Sequence, residues 1–214
     1  MIKNKKIDYR PKLLPNQYHH CVNHAIDGNL LFREDENYAF FLDKYKKYIA
    51  PITVTYAYCL MPNHFHFLIQ IRPEEQIQAY YKKCHPHKKQ DWQTFDYHKF
   101  ISQQFSNFFN SYAKAYNKKY GRRGGLFEDY FKRPLITDEN HFLNTLRYIH
   151  QNPIHHGFVD DLETWNYTSY PAFLNPNKKG FYKERVLYIL QGLQGFIDFH
   201  QNYRLDEDYD SFID

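Results

Sequence analysis

Two histidines separated by a single residue, His64 and His66, stand in the otherwise apolar stretch YAYCLMPNHFHFLIQ (56–70). Because side chains alternate across a strand, both imidazoles would share one face of a strand. Two imidazoles about 6–7 Å apart at Cα can bind one divalent ion. A lone HxH pair is more often two histidines hydrogen-bonded to their neighbours. Leu68 and Gln70 share the histidine face, and the opposite face carries Phe65, Phe67, Ile69 and Ile71.

A second group of polar residues falls at helical spacing in LNTLRYIHQNP (143–153). Asn144, Tyr148 and Asn152 are spaced by four, which places them on one face of a helix. The amide of Asn152 can bind a metal ion, and the phenol of Tyr148 can act as a nucleophile beside it. In a chain with 21 Tyr, a half-buried structural tyrosine explains Tyr148 more simply when it is taken alone. The apolar face would carry Phe142, Leu146 and Ile149.

The elements that must position these residues follow from hydrophobic periodicity and from turn and capping residues. Residues 72–98 lack clear periodicity, so an irregular insertion is predicted at about 74–98. Strands are predicted over 17–25, 52–60 and 64–71, the last two as a hairpin, with a short extended piece at RPLIT (133–137). Helices are predicted over 33–49, from Lys99 onward, over 139–152 up to Pro153, and over 183–200. This order predicts an α+β sandwich with an antiparallel or mixed sheet.

Length and composition limit the class of protein. The 214 residues predict one domain over 1–214, with a helical extension from about 180. The net charge is +4, and clusters such as KKCHPHKK and NKKYGRR suit a polyanionic partner, although solvated loops explain each cluster equally well. Three cysteines without CxxC spacing favour a reducing compartment. Without a signal-like start or a run of 18 apolar residues, we expect a cytoplasmic protein with no membrane association.

Several segments, taken together and in order, resemble a known family. They are YHHCVNHAIDGNLLF, YAYCLMPNHFHFLI, YAKAYNKKYGRRGGLFEDYFKRPLI, YIHQNPIHHGFV and WNYTSYPAFL. The combination of LMPNHxH with YIxxNP is similar to the single-tyrosine HUH transposases, and more closely to the REP-associated tyrosine transposases. The resemblance implies a ferredoxin-like sandwich, in which a central antiparallel sheet carries the HUH motif and helices pack on it.

The resemblance also assigns roles to residues. It implies that His64, His66 and Asn152 bind a divalent metal, Mg²⁺ or Mn²⁺, and that Tyr148 attacks a DNA phosphate. The implied reaction is metal-dependent cleavage and strand transfer of single-stranded DNA, often beside a hairpin, through a 5′-phosphotyrosine. Tyr112 and Tyr116 are rival tyrosines that an apolar helical stripe already explains. The candidates for phosphate contact are Lys118, Lys119, Arg122, Arg123, Lys132 and Arg133.

The chain departs from the family in two places. The family often has an arginine after the first strand, where this chain has NHAIDG, and the segment 74–98 is longer than in compact members. Two further groups, His19, His20, Cys21 and His24, and Cys84, His85 and His87, lack a complete set of zinc ligands and are interpreted as structural or surface residues. Three alternatives remain: a DNA-binding protein without catalysis, a nuclease using activated water, and a structural or protein-binding module. Relatives include monomers and homodimers, so both states are expected.

Overall fold

The computed structural model describes residues 8–178 and 182–201. Its centre is a four-stranded sheet in which every neighbouring pair of strands is antiparallel, in the spatial order β2-β3-β1-β4. The two histidines of the HxH pair begin β3, which is an inner strand. The strands are β1 (Tyr18–His24), β2 (Thr53–Leu60), β3 (His64–Ile71) and β4 (Leu135–Ile136).

Helices connect and cover these strands. The chain order β1-α1-β2-β3-α2-α3-β4 reproduces the split βαβ pattern of ferredoxin-like folds, with two helices in the second crossover. The predicted α+β class and antiparallel sheet are therefore confirmed. The helices are α1 (Asp35–Tyr48), α2 (Glu74–Cys84), α3 (Tyr97–Lys119), α4 (Glu139–His155), α5 (Tyr170–Leu174), α6 (Lys183–Ile189) and α7 (Leu193–Gln201).

The aromatic face of β3 packs against α1 and α3. Phe65 and Phe67 are buried there and contact the ring of Phe41 from α1. The ring of Phe41 also lies 4.7 Å from that of Phe108 on α3. Alternation along the strand thus places this face in an aromatic core, as the sequence predicts.

The histidine face of the sheet is covered by α4. Leu68 of β3 shares a second core with Leu146 and Ile149 of α4. Phe173 of α5 and Phe196 of α7 extend this core on the far side of α4, where their rings stack 4.6 Å apart. The sheet therefore lies between two helical layers, and the side chains of α4 that point inward face the histidines.

The insertion at 74–98 is not irregular throughout, because its first half forms α2. The segment has acidic Glu74 and Glu75 in its first turn and lysines in its last, which favours a helix through the macrodipole. Ile77 is the one residue of α2 that is buried. A helix with so narrow an apolar contact leaves little periodicity for sequence reasoning to detect.

Two predicted helix boundaries are wrong. α4 does not stop at Pro153 but includes it and ends at His155. A proline removes one backbone donor, and here the burial of both Asn152 and Pro153 offsets that loss. The predicted helix over 183–200 is two helices, since Gln191 and Gly192 adopt positive φ angles of 58° and 104° between α6 and α7. Within the described residues, no helix is long and apolar enough to cross a bilayer.

Candidate active site at the histidine face

Strand pairing brings a second set of histidines to the HxH pair. β1 lies beside β3 in a register that sets His24 opposite His64 and Val22 opposite His66. Because His20, Val22 and His24 are two residues apart on β1, all three project from the same face as the HxH pair. The rings of His24 and His64 stack 4.9 Å apart, and those of His20 and His66 stack 5.2 Å apart.

α4 places Tyr148 and Asn152 on top of these imidazoles. The two residues are one helical turn apart, so both point at the sheet. The Oδ1 atom of Asn152 lies 3.1 Å from Nε2 of His64, and the ring of Tyr148 meets that of His66 edge-on at 5.6 Å. All four predicted residues thus lie together, whereas Asn144 is half-exposed and accepts a hydrogen bond from Arg147.

The surroundings of His64 suit a cation. Its Nδ1 lies 2.8 Å from Oδ1 of Asn63, and its Nε2 faces Oδ1 of Asn152, so an acceptor oxygen stands at each nitrogen. A neutral imidazole has one N–H and can donate to only one of them. A positive charge, on the ring or on an ion at Nε2, removes this conflict. The 3.1 Å between Nε2 and the amide oxygen is close to the roughly 3 Å separating adjacent ligands of an octahedral ion bound at about 2.1 Å.

The donors available for an ion are nitrogen and amide oxygen. Across the described residues, no group of three His, Cys, Asp or Glu side chains is arranged to hold a metal ion. An amide ligand such as Asn152 would therefore have to complete a set begun by His64 and His66. The Nδ2 atom of Asn152 is buried without a hydrogen-bond partner among the described residues, so the amide contacts His64 through its oxygen.

Burial keeps the inner imidazoles neutral. It lowers the pKa of His66 well below its ordinary value, and the neighbouring histidines, His64 first, lower it further. The pKa of His20 falls to about 3, chiefly through burial and then through the charges of His141 and Lys132. Metal ions bind neutral imidazole, so these shifts leave the ring nitrogens in the state that coordination requires.

Tyr148 is almost enclosed, with 3% of its surface exposed. Its ring makes contacts with the rings of His20, His66 and His155 at 6.0, 5.6 and 5.9 Å. Burial makes His20 and His66 poor proton acceptors at neutral pH, which leaves His155 as the neighbouring imidazole that could accept the proton of the phenol. A substrate can reach the phenol only if part of this cover moves.

Sequence reasoning missed four histidines of the site. The interpretation of His20 and His24 as structural or surface residues leaves them out, although alternation in HHCVNH already puts them on one strand face. His155 and His156 follow Pro153, beyond the helix end that the sequence predicts. The ring of His156 lies 5.1 Å from that of His64. The other histidine group, Cys84, His85 and His87, is not part of this site. Cys84 ends α2 and His87 follows it, and both are exposed.

The basic loop after α3 lies at the same end of the sheet as His64. Backbone bridges join Ala25 to Phe127 beyond the end of β1, so the loop passes close to His24. Lys118, in the last turn of α3, and Arg123, in the loop, are exposed. The other two candidates are engaged within the protein, since Lys119 pairs with Glu34 at 2.5 Å and the guanidinium of Arg122 lies 5.8 Å from the ring of Tyr116.

Lys132 and Arg133 point to opposite faces of the sheet. Lys132 pairs with Val22 and lies close enough to lower the pKa of His20, so it belongs to the histidine face. Arg133 lies on the other side, where its guanidinium donates to the backbone carbonyls of Pro11 and Phe131 at 3.0 and 3.3 Å and to Arg10 at 3.4 Å. Its hydrogen-bonding capacity is thus largely used inside the protein.

The rival tyrosines lie in the aromatic core. Tyr112 donates its hydroxyl hydrogen to the carbonyl of Leu31 at 2.5 Å, and Tyr116 donates to Leu30 at 2.6 Å. Both side chains are buried between α1 and α3, on the far side of the sheet from the histidines. This placement supports their interpretation as structural residues.

A stretch of the chain is similar to a curated protein. It is 29% identical over 119 residues to a Haemophilus influenzae protein named a REP-associated tyrosine transposase. The match covers 54% of this chain and 58% of that protein, so the chain spans little more than half the length of this relative. No family model matches the chain.

The fold is similar to a solved structure as well. The structure of a REP-associated tyrosine transposase bound to a REP hairpin matches with a TM-score of 0.56 and 11% identity, over 81% of this chain and 88% of that one. The likeness shows that the ferredoxin-like sheet and its covering helices share the fold of that solved protein. Both matches are REP-associated tyrosine transposases by name, so the chain is similar to the family that its motifs resemble.

Proposed function

We propose that this protein is an enzyme that cuts and rejoins single-stranded DNA beside a hairpin, with Tyr148 as the nucleophile. The observation that carries the proposal is the convergence of His64, His66, Tyr148 and Asn152, which come from two elements far apart in the chain. The similarity to REP-associated tyrosine transposases, one of them solved with a REP hairpin, supports the same substrate class.

The four side chains divide the work. His64, His66 and Asn152 would hold a divalent ion, Mg²⁺ or Mn²⁺, which supplies positive charge beside a nonbridging phosphate oxygen. The Tyr148 hydroxyl loses its proton to a neighbouring base, and its oxygen attacks phosphorus. The new O–P bond replaces the bond from phosphorus to the 3′ oxygen, which leaves as a 3′-hydroxyl after taking a proton. The DNA is then joined to the protein as a 5′-phosphotyrosine, and attack by a 3′-hydroxyl reverses the step or joins a new end.

Substrate entry requires a change at the cover of Tyr148, because its ring is nearly buried. Exposed Lys118 and Arg123 border the end of the sheet where the site lies, and Lys132 projects from the histidine face. Phosphates held by these three cations would bring the strand to that edge. Arg133 and Lys119 are weaker candidates because each already has partners within the protein.

The test is whether the protein forms a covalent adduct with DNA. The protein is incubated with pooled single-stranded oligonucleotides containing random hairpins, with Mn²⁺, and run on a denaturing gel. We expect an adduct with wild type, none with Tyr148→Phe, and a strong loss with His64→Ala. Tyr112→Phe is the matched control, since it removes a buried phenol from the other face of the sheet. Sequencing of the adduct would identify the cleavage site.

The alternatives give different results in the same experiment. A DNA-binding protein without catalysis would shift the oligonucleotides on a native gel and form no adduct. A nuclease using activated water would cleave without an adduct and would keep its activity in Tyr148→Phe. Either result would refute tyrosine chemistry at this site.

A further inference from the structure

His20 links two residues to which the proposed function assigns roles. Its Nε2 atom lies 3.0 Å from Nδ1 of His66 in a fully buried hydrogen bond. Its ring also meets that of Tyr148 at 6.0 Å, nearly at right angles. His20 and His66 are 1% and 0% exposed, so water does not compete for this contact.

The hydrogen bond between two neutral imidazoles contains one proton, and its position decides what His66 can bind. If the proton is on Nδ1 of His66, then Nε2 of His66 carries a lone pair and can bind an ion. If the proton is on Nε2 of His20, then Nε2 of His66 carries the hydrogen and cannot bind an ion. Whether Nε2 of His66 can bind an ion therefore depends on which of the two rings donates the hydrogen bond.

We infer that His20 is a positioning residue, which accepts the Nδ1–H of His66 and so holds Nε2 of His66 as a metal ligand. This inference rests on the proposed function, because it concerns the ion of that site. In most metal sites a histidine ligand donates its second N–H to a carboxylate or carbonyl oxygen. Here a second imidazole takes that place, and its own Nδ1 has no hydrogen-bond partner among the described residues.

His19 is a matched control on the same strand. It is as buried as His20 but points to the opposite face, where its Nδ1 lies 3.0 Å from the carbonyl of Arg133. A His19→Leu variant therefore removes a buried imidazole and one hydrogen bond without touching His66. His20→Leu removes the acceptor, while the amide oxygen of a His20→Gln variant can replace it.

The first measurement is the affinity for Mn²⁺, determined by electron paramagnetic resonance on the full chain without DNA. We expect His20→Leu to bind Mn²⁺ about 10–100-fold more weakly than wild type. His19→Leu should bind like wild type, and His20→Gln should bind more tightly than His20→Leu. Equal affinities in wild type and His20→Leu, or equal losses in His19→Leu and His20→Leu, would overturn the inference.

The second measurement is the tautomer of His66, read from nitrogen-15 spectra of histidine-labelled protein with Mg²⁺. We expect a protonated Nδ1 on His66 in wild type, and a protonated Nε2 of His66 would overturn the inference. If wild type forms the DNA adduct while His20→Leu keeps full Mn²⁺ affinity, only the role of His20 fails. If wild type binds no Mn²⁺, the metal centre of the proposed function fails, and the role of His20 fails with it.

Discussion

Acid is expected to weaken the contact between α7 and α4, because two buried histidines form it. Nδ1 of His150 on α4 lies 2.9 Å from Nε2 of His200 on α7. At the ends of this chain, Nε2 of His150 lies 2.7 Å from the hydroxyl oxygen of Ser169, and Nδ1 of His200 donates to the carbonyl of Phe196. One proton satisfies the central hydrogen bond, so a second proton on His200 would set two N–H groups against each other.

The sign of the effect follows from the pKa values. Burial lowers the pKa of His200 from 6.5 to about 4 and that of His150 well below 6.5. The unfolded chain takes up these protons as the pH falls below 6.5, and the folded protein does not. Stability is therefore complete above pH 6.5 and falls as the pH drops toward 4. At pH 5.5, each neutral histidine with an unfolded pKa of 6.5 lowers the free energy of unfolding by about 1.4 kcal/mol.

Urea unfolding at pH 7.5 and 5.5 measures this loss. We expect the wild-type free energy of unfolding to drop between the two values by about 1.4 kcal/mol more than that of His200→Gln. Exposed His87→Gln is the control, since it removes a histidine outside the core and should retain the wild-type drop. Equal drops in wild type and His200→Gln would show that the buried pair does not titrate as inferred.

Two further predictions separate residues that look alike in the sequence. Lys132→Ala should weaken DNA binding and reduce the slope of log Kd against log salt concentration by about one, which a salt titration measures. Arg133→Ala should instead lower the free energy of unfolding by about 2–3 kcal/mol, which urea unfolding measures. If Arg133→Ala reduces the salt slope as Lys132→Ala does, the assignment of the two side chains is wrong. Tyr112→Phe should lower the free energy of unfolding by about 1–2 kcal/mol, because the carbonyl of Leu31 loses its hydrogen bond. The same variant should form the DNA adduct as wild type does. Loss of the adduct in a folded Tyr112→Phe protein would contradict the role of Tyr148.

The parts of the site that could be predicted are those set by local period. Alternation along HFHFLIQI separates His64 and His66 from Phe65 and Phe67, and no distant contact is needed to see this. Helical spacing likewise brings Tyr148 and Asn152 to one face. These relations hold within one element, so the sequence alone determines them.

The parts that could not be predicted depend on partners far away in the chain. The contact of His20 with His66 joins positions 46 residues apart and requires the register of β1 against β3. The passage of α4 through Pro153 depends on tertiary burial, which local helix rules do not contain. Lys132 and Arg133 point to opposite faces of the sheet because the backbone of Lys132 pairs with that of Val22. The pattern of charges in the sequence does not show this pairing.

The short connection before α4 explains how one chain can supply all four side chains. β4 ends at Ile136 and α4 begins at Glu139, so only two residues join the sheet to the tyrosine helix. The side chain of the second of these residues, Asp138, accepts a hydrogen bond from the backbone N–H of His141 and so caps the helix. Ile136 and Glu139 are three residues apart, so their Cα atoms can lie about 10 Å from each other at most. So short a link, with one residue fixed in the cap, holds the start of α4 beside the edge of the sheet that carries the histidines.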